Sequence, residues 1–357
     1  FGKYNLRIRK VLEAIYCNYS GNREDRNFEA LVVYLKRVWF SNGIYHHYGC
    51  DKFQPGFSKE SFIGMVDSIS ENLLPLRDGE TVEDLCKELV PVIFDADVLP
   101  MRVNKKEGED LVQTSACNYY DSLTQNEVEA YYDSMRNPDD PTPVSYGLNT
   151  TLIKDKAGIH EEAWTSESKY GDAIKKIIFW LEKACEVTEN EQQQKVIGLL
   201  IEYYRKGDLK VFDEYSVEWL KEQSGQVDFI NGFIEVYGDP LGIKGSWEGI
   251  VTYKDLEATK RTQTISRNAQ WFEDNSPVDS RFKKDKVVGV TANVVCTAML
   301  GGDEYPSTAI GINLPNADWI RAAHGSKSIT IANLTHAYNM ASKGNGFLQE
   351  FVVDAAT

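Results

Sequence analysis

The chain has 357 residues, 42% of them hydrophobic and 26% charged, which is typical of a soluble globular protein long enough for two domains or one large two-lobed unit. No apolar run approaches the roughly 18 residues of a membrane-spanning helix, so the sequence excludes a helical membrane protein. The formal net charge of −15 argues against nucleic acid and anionic membranes as partners, because their phosphates would be repelled at long range.

The six cysteines lie far apart and form no CxxC pair. A disulfide scaffold needs a higher density, so we expect free thiols in a reducing compartment and predict a cytoplasmic protein. The sequence starts at Phe1 rather than at a methionine, and it stops at Thr357 within a patterned segment. We therefore expect an internal piece of a longer polypeptide.

Helical signals dominate the first part of the chain. Apolar residues recur at helical spacing, for example at Phe28, Leu31 and Leu35. A loop rich in proline and aspartate is predicted over 136–147. Helices are predicted over 24–40, 58–74, 79–94, 124–135, 171–187, 190–206 and 212–223.

Two of these helices carry start signals. Either Ser58 or Ser61 could be the N-cap of the helix at 58–74. Thr124 is followed three positions later by Glu127, which is the spacing of a capping box.

After about residue 228 the pattern changes to short β-like segments. One further helix, over 256–276, interrupts them. We predict an α+β fold, a mostly helical body with a small β-sheet or barrel-like core. The strands are predicted over 230–237, 247–253, 287–295, 307–313 and 328–333.

Five histidines are the first candidates for metal ligands, and none has suitable spacing. His46 and His47 are adjacent, so their side chains point in different directions on a helix or a strand. The segment GIHEEAW begins like the helix of a zinc peptidase, but Trp164 stands where the second histidine is needed after His160. We predict no metal ligand in this chain. Nucleophile elbows and phosphate-binding loops are absent as well.

The segment GFIEVYGDPLGIKGSWEG at 232–249 is unusual, with five glycines in its length. Its first part reads as a strand in which Glu235 and Tyr237 share one face. Most strands bury hydrocarbon at such positions. The pair either faces a substrate or is an exposed or ion-paired carboxylate beside a surface phenol, and Glu248 could likewise be an ordinary strand residue.

A second unusual segment, STAIGINLPNADWIR, covers 307–321. Asparagine is disfavoured in strands, yet Asn313 and Asn316 flank Pro315 here. One interpretation gives both residues structural work: Asn313 would satisfy a loop, and Asn316 would cap the helix that follows. The other places both in a binding site.

These two segments resemble signature regions of the dipeptidyl peptidase III family. The matching stretches are GFIEVYGDPLGIKGSWEGIV and GINLPNADWIR, and YLKRVWFSNGIYHHYGCDKFQPGFS at 34–58 is similar to the bacterial branch. Members of the family are zinc exopeptidases that release dipeptides from the N-termini of short peptides. The resemblance extends over essentially the whole chain.

The resemblance implies roles for the unusual residues. Glu235, Asn313 and Asn316 match residues that hold the N-terminal ammonium and the first backbone groups of the substrate. Glu248 matches a second carboxylate near that ammonium. Tyr237 matches a phenol that hydrogen-bonds the scissile carbonyl as it becomes an oxyanion.

The resemblance also implies an edge strand for peptide docking. Ile310, Gly311 and Asn313 match positions on this strand, along which the peptide adds as a further β-strand. If the matched residues form one site, the strands around 233–237 and 309–313 should lie near each other, with Glu235 close to Asn313.

One part of the family pattern is missing. The family's zinc motif, H-E-x-x-G-H, does not occur in this sequence. We expect Zn²⁺ in the full-length parent, none bound to this chain, and no peptidase activity of the chain alone. We expect a monomeric protein whose partners are short peptides. The alternative is a metal-free peptide-binding module without catalytic function.

By analogy with the family, the chain divides between two lobes. Residues 1–255 and 298–340 are predicted to form the lower, substrate-binding lobe. Residues 256–297 are predicted to enter the upper lobe, and 341–357 to begin its zinc-bearing part.

Overall fold

The computed structural model describes residues 2–287, 290–305 and 308–341. Within these ranges the chain forms twelve α-helices and eight β-strands. The helices are Asn5–Asn18 (α1), Arg26–Phe40 (α2), Lys59–Asp67 (α3), Val82–Phe94 (α4), Gln125–Met135 (α5), Gly171–Cys185 (α6), Glu191–Lys206 (α7), Leu209–Lys221 (α8), Leu256–Arg267 (α9), Ala269–Asn275 (α10), Asp318–His324 (α11) and Ala332–Ala341 (α12). The strands are Tyr120–Asp121 (β1), Thr150–Asp155 (β2), Gly158–Ala163 (β3), Val227–Glu235 (β4), Ser246–Lys254 (β5), Val290–Gly302 (β6), Gly311–Leu314 (β7) and Ser326–Ile331 (β8).

Two compact units share the chain, each assembled from separate stretches of sequence. The first comprises Phe1–Arg136, Tyr146–Ala163 and Glu235–Ser246, and the second comprises Asn137–Ser145, Trp164–Ile234 and Trp247–Thr357. These boundaries differ from the lobe boundaries predicted by analogy, and that division stays a prediction. Residues 342–357 of the predicted upper lobe lie outside the described residues.

The first unit has a helical core and a small sheet. Helices α1 to α4 bury apolar side chains such as Ile8, Leu35 and Phe62 against one another. A second cluster, which includes Val128 and Leu152, lies between α5 and the sheet β1-β2-β3. Strand β1 runs parallel to β2, and β2 pairs antiparallel with β3.

The second unit is built on a five-stranded sheet of order β4-β5-β6-β8-β7. Strands β5 and β6 are antiparallel, β6 and β8 are parallel, and β8 and β7 are antiparallel. Helix α9 packs on β6, where the Thr259 hydroxyl accepts a hydrogen bond from the Val294 amide at 3.0 Å.

This sheet is strongly curled, as a buried ion pair shows. The Nζ atom of Lys327 in β8 lies 2.8 Å from Oδ2 of Asp228 in β4, although β5 and β6 separate these two strands. In a flat sheet the strands would be about 14 Å apart, and side chains stand roughly perpendicular to the sheet. The sheet must therefore close around this contact, which agrees with the predicted barrel-like core.

The predicted α+β class is confirmed, and α2 and α4 to α8 match predicted helices. The helix predicted over 58–74 ends earlier, at Asp67 in α3, and α1 was not predicted. Ser58, rather than Ser61, is the N-cap of α3, since its side chain accepts from the Ser61 amide at 3.1 Å. The capping box at α5 is confirmed: Thr124 accepts from the Glu127 amide, and Glu127 accepts from the Thr124 amide at 2.9 Å.

The structure differs from the predicted local structure in three places. The sheet β1-β2-β3 was not predicted, and GIHEEA, which resembles the start of a helix, forms β3. The helix predicted over 256–276 breaks at Asn268 into α9 and α10. The strand predicted over 287–295 continues to Gly302 in β6, although 288 and 289 lie outside the described residues. None of the helices in the described ranges combines the length and the apolar character needed to cross a membrane.

Candidate functional site

The segment that follows β4 carries two of the predicted site residues. Glu235 is the last residue of β4 and is half-buried. Tyr237 is 73% exposed, whereas Gly238, Asp239 and Pro240 directly after it are buried. The phenol is therefore presented at the surface of the first unit by a backbone that turns inward immediately after it.

Asp239 organises the turn after Tyr237. Its carboxylate is fully buried and accepts hydrogen bonds from the backbone amides of Leu241 at 3.2 Å and of Ile243 and Lys244 at 2.8 Å each. It also accepts from the Tyr120 hydroxyl at 2.6 Å. Burial and the adjacent Asp239 charge raise the pKa of Tyr120, so this phenol stays a donor.

Lys244 anchors the other end of the same turn. Its ammonium is fully buried and donates to the hydroxyls of Tyr132 and Thr150, the latter at 2.7 Å. Both hydroxyls donate to one carboxylate oxygen of Glu161, at 2.6 and 2.7 Å. Burial lowers the pKa of Lys244 to about 8, against the opposing effects of Glu161 and Asp239.

The sequence alone did not single out this buried group. Asp239 and Lys244 lie in the segment GDPLGIKG, which sequence reasoning examined only as a phosphate-binding loop. An aspartate and a lysine within a glycine-rich apolar stretch were the available signal. Their partners Tyr120, Tyr132 and Glu161 come from distant parts of the chain.

In the second unit, β7 forms an outer strand of the described sheet. It pairs with β8 along one side, and Asn313 lies opposite Ser328. The Asn313 side chain is exposed, and its Oδ1 lies 3.4 Å from the Ser328 hydroxyl. Ile310 before the strand is 52% exposed, and Gly311 is exposed as well. This strand presents main-chain and polar groups at the sheet edge.

Asn316 is not the N-cap residue of the following helix. A cis Leu314–Pro315 bond ends β7, and Asn316 is exposed after it. Helix α11 starts at Asp318 with Ala317 in the N-cap position and no side-chain cap. The prediction that Asn316 occupies the N-cap position of this helix is therefore wrong.

Glu248 occupies a different environment from the two asparagines. It lies in β5, is 3% exposed and pairs opposite Gly302 of β6. Strands β6 and β8 separate β5 from β7. The structure thus places Glu248 on the buried face of the sheet and Asn313 at the exposed outer strand.

The two strands that were expected to lie near each other are not neighbours. Strands β4 and β7 belong to one sheet but form its opposite outer strands, with three strands between them. The curl of the sheet brings β4 against β8, the neighbour of β7. The convergence of Glu235 with Asn313 and Asn316 stays a prediction.

Comparison with known proteins assigns the family. The sequence profile described as peptidase family M49 matches residues 149–355, more than half of the chain. The chain belongs to peptidase family M49. The resemblance to dipeptidyl peptidase III is therefore confirmed at the level of the family.

Curated relatives of this M49 chain are named dipeptidyl peptidase 3. The rat protein is 22% identical over 352 residues, 91% of this chain and 47% of the relative. The human protein is 23% identical over 349 residues, with the same two coverages. The Dictyostelium discoideum protein is 26% identical over 337 residues, 88% of this chain and 45% of the relative. The M49 chain thus spans about half the length of the curated relatives it matches.

Solved structures share the fold. Dipeptidyl peptidase III from Caldithrix abyssi has a TM-score of 0.54 at 18% identity, over 94% of the M49 chain and 56% of its own. The enzyme from Corallococcus sp. strain EGB has a TM-score of 0.53 at 23% identity, over 62% of the M49 chain and 41% of its own.

Membership of M49 implies a zinc site. The described residues contain no set of side chains that fits zinc. Over these ranges no group of three or more His, Cys, Asp or Glu side chains is placed to hold a metal ion. His160 lies in β3, with Nδ1 3.8 Å from Oδ1 of Asp155, and both side chains are about half exposed.

Proposed function

We propose that the chain is the substrate-binding portion of a zinc-dependent dipeptidyl peptidase III that releases dipeptides from the N-termini of short peptides. The main support for the proposal is the M49 match, because it includes both unusual segments, 232–249 and 307–321. We also propose that short peptides are its partners, and that the protein is a cytoplasmic monomer.

The proposed recognition starts at the amino terminus of the peptide. Glu235, Glu248, Asn313 and Asn316 would hold the substrate ammonium and its first backbone groups. Removing an ammonium from water is costly, and a carboxylate with amide oxygens offsets that cost through charge-assisted hydrogen bonds. The exposed side chains of Asn313 and Asn316 support this role.

The proposed docking mode is addition of a strand at β7. A peptide that pairs with Ile310, Gly311 and Asn313 is held mainly through its backbone, so many sequences are accepted. The position of β7 at the edge of the described sheet supports this mode.

The proposed role of Tyr237 is to stabilise charge on the scissile carbonyl. A phenol hydroxyl aimed at the developing oxyanion contributes about 3 kcal/mol in comparable sites. The high exposure of Tyr237 supports its access to a bound peptide.

The amine requirement tests the proposal. We expect the protein to bind a short peptide at least about tenfold more tightly than its N-acetylated form, because acetylation removes the charge that Glu235 pairs with. Glu235→Gln should weaken binding of the free-amine peptide and leave the acetylated peptide almost unchanged. Calorimetric titration measures both, with Glu24→Gln, an exposed carboxylate before α2, as the matched control.

The same titration separates the two candidate functions. A module that binds internal peptide segments along β7 has no need of a free amino terminus. Equal affinity for both peptides, or an equal effect of Glu24→Gln, would remove the exopeptidase proposal and favour the metal-free peptide-binding module.

A further inference from the structure

The stretch 238–246 is attached to the first unit at both of its ends. Near its start, the Asp239 carboxylate holds three backbone amides and the Tyr120 hydroxyl. Near its end, the Lys244 ammonium donates hydrogen bonds to the hydroxyls of Tyr132 and Thr150. The Gly245 amide also donates to the Leu148 carbonyl at 2.7 Å. Such attachment leaves the backbone of this stretch little freedom.

The stretch is attached through two charged groups that are costly to bury. The attachment is therefore stable in only one position of the backbone. Asp239 and Lys244 are both fully buried, and Lys244 also lies 3.6 Å from Glu161. A buried ion tolerates little displacement, because any movement exposes it to an environment without its hydrogen-bonding partners. A purely apolar contact could slide, and this one cannot.

Packing at the first residue of the stretch is equally close. A Cβ atom added at Gly238 would lie 2.9 Å from the Ser246 hydroxyl and 3.1 Å from the Tyr119 hydroxyl. These two hydroxyls are themselves 3.1 Å apart, which joins the end of the stretch to its beginning. The residue next to Tyr237 is therefore fixed on both sides.

The side chain of Tyr237 is exposed, unlike the three residues that directly follow it. Its ring is 73% exposed, while the backbone just after it is enclosed and hydrogen-bonded, with the Asp239 amide donating to the Val236 carbonyl at 3.1 Å. An exposed side chain on a fixed backbone loses less conformational freedom when it engages a ligand. This arrangement suits a phenol that must meet one atom of a bound peptide.

We propose that Asp239 and Lys244 are positioning residues that fix the direction of the Tyr237 phenol through the stretch 238–246 without touching substrate. The proposal rests on the proposed function only in giving Tyr237 a catalytic role. The placement of the phenol is measurable in the protein whether or not it cleaves a peptide.

The decisive measurement is the ¹⁹F spectrum of the protein with difluorotyrosine at position 237. We expect one narrow line in the parent protein, and a shifted, broadened or multiple line in Lys244→Met. Lys52→Met is the matched control, since Lys52 is also buried in the first unit and donates to backbone carbonyls, including that of Val92 at 3.0 Å. It should lower stability without changing the Tyr237 line.

A milder pair of variants covers the case in which Lys244→Met fails to fold. Tyr120→Phe removes only the hydroxyl that donates to Asp239, and Tyr45→Phe removes a comparable hydroxyl that donates to the Leu99 carbonyl at 3.0 Å. We expect Tyr120→Phe to alter the Tyr237 line and to speed amide exchange in 238–246 by about tenfold or more, and Tyr45→Phe to do neither.

Kinetics give a second readout where peptide cleavage is observed. Misplacing the phenol should lower kcat by about tenfold or more and change KM by less than about twofold. An unchanged Tyr237 line in both Lys244→Met and Tyr120→Phe, or an equal change in the two controls, would overturn the positioning proposal. If the parent protein binds the free-amine peptide and its N-acetylated form equally well, that result counts against the proposed function and leaves the positioning proposal standing.

Discussion

One buried carboxyl, that of Asp213, makes a contribution to stability that depends on pH. Asp213 in α8 is 8% exposed, and burial raises the pKa of its carboxyl to about 7. Its folded-state pKa thus lies above the unfolded value of 3.8. Because the folded state then binds the proton more tightly, the contribution of Asp213 to stability is complete at low pH and falls as the pH rises toward about 7.

Asp213→Asn should remove this pH-dependent loss. The variant carries no ionisable group, so we expect it to be more stable than the parent by up to a few kcal/mol at pH about 8 and by much less at pH about 4. Urea denaturation at the two pH values measures the difference. Glu214→Gln, an exposed neighbour on the same helix, is the control. A stability difference independent of pH would contradict the assignment.

Among the elements, α5 shows how a helix start is specified by local sequence. Thr124 and Glu127 exchange hydrogen bonds between side chain and backbone at its first turn. Glu127 also pairs with Lys154 of β2 at 2.5 Å. The salt bridge to Lys154, with the Thr124 hydrogen bonds, lowers the pKa of Glu127 to about 2.

Thr124→Ala should destabilise the first unit. It deletes the oxygen that accepts from the Glu127 amide, at a cost of about 1 kcal/mol in comparable caps. Thr124→Ser keeps that oxygen and should cost only a few tenths of a kcal/mol. The midpoints of chemical denaturation measure both variants, and equal midpoints for Ala and Ser would show that the cap contributes nothing.

Elements with local signals could be predicted from the sequence, and elements held by distant partners could not. The sequence indicates helices α2 to α8 through the spacing of apolar residues and through N-cap residues such as Ser58 and Thr124. The hairpin β2–β3 gives no such signal, because GIHEEA places charged residues where a strand should be apolar. Glu161 is tolerated there because Lys244 pairs with it through Thr150, which is 94 positions from Lys244.

The candidate site divides in the same way. Glu235 and Asn313 stood out because a carboxylate and an asparagine are disfavoured in strands, and the roles predicted for them, for Tyr237 and for Asn316 came from the family resemblance. Asp239 escaped notice, since its four hydrogen bonds depend on a folded turn and on Tyr120. A sequence pattern shows which residue types are unusual, and only the fold shows which of them are buried together.

At the scale of the whole molecule, one ion pair closes the curled sheet of the second unit. Lys327 lies over the Trp219 ring at 4.0 Å, and the Trp219 indole donates to Asp228 at 2.9 Å. Burial lowers the pKa of Lys327, and the Asp228 carboxylate opposes that effect. Residues from α8, β4 and β8 therefore meet in one buried polar contact.

Lys327→Met should destabilise the protein by roughly 3–5 kcal/mol, because it leaves the buried Asp228 carboxylate without its counter-charge. Adding Asp228→Asn should recover part of that loss, since the double variant buries no unpaired charge. Thermal unfolding of the parent, the single variants and the double variant measures the coupling. Simple additivity of the two single changes would show that the ion pair does not act as a unit.

The same ion pair also constrains the order of events during protein synthesis. Asp228 and Lys327 are 99 positions apart. At about 5–20 residues per second, Lys327 leaves the ribosome roughly 5–20 s after Asp228. All residues of helices α1 to α4 are synthesised before β4. The Asp228 carboxylate in β4, by contrast, stays solvated until β8 has been synthesised. Of the two units, the second is therefore the one in which a buried ion pair must form between segments that are synthesised far apart in time.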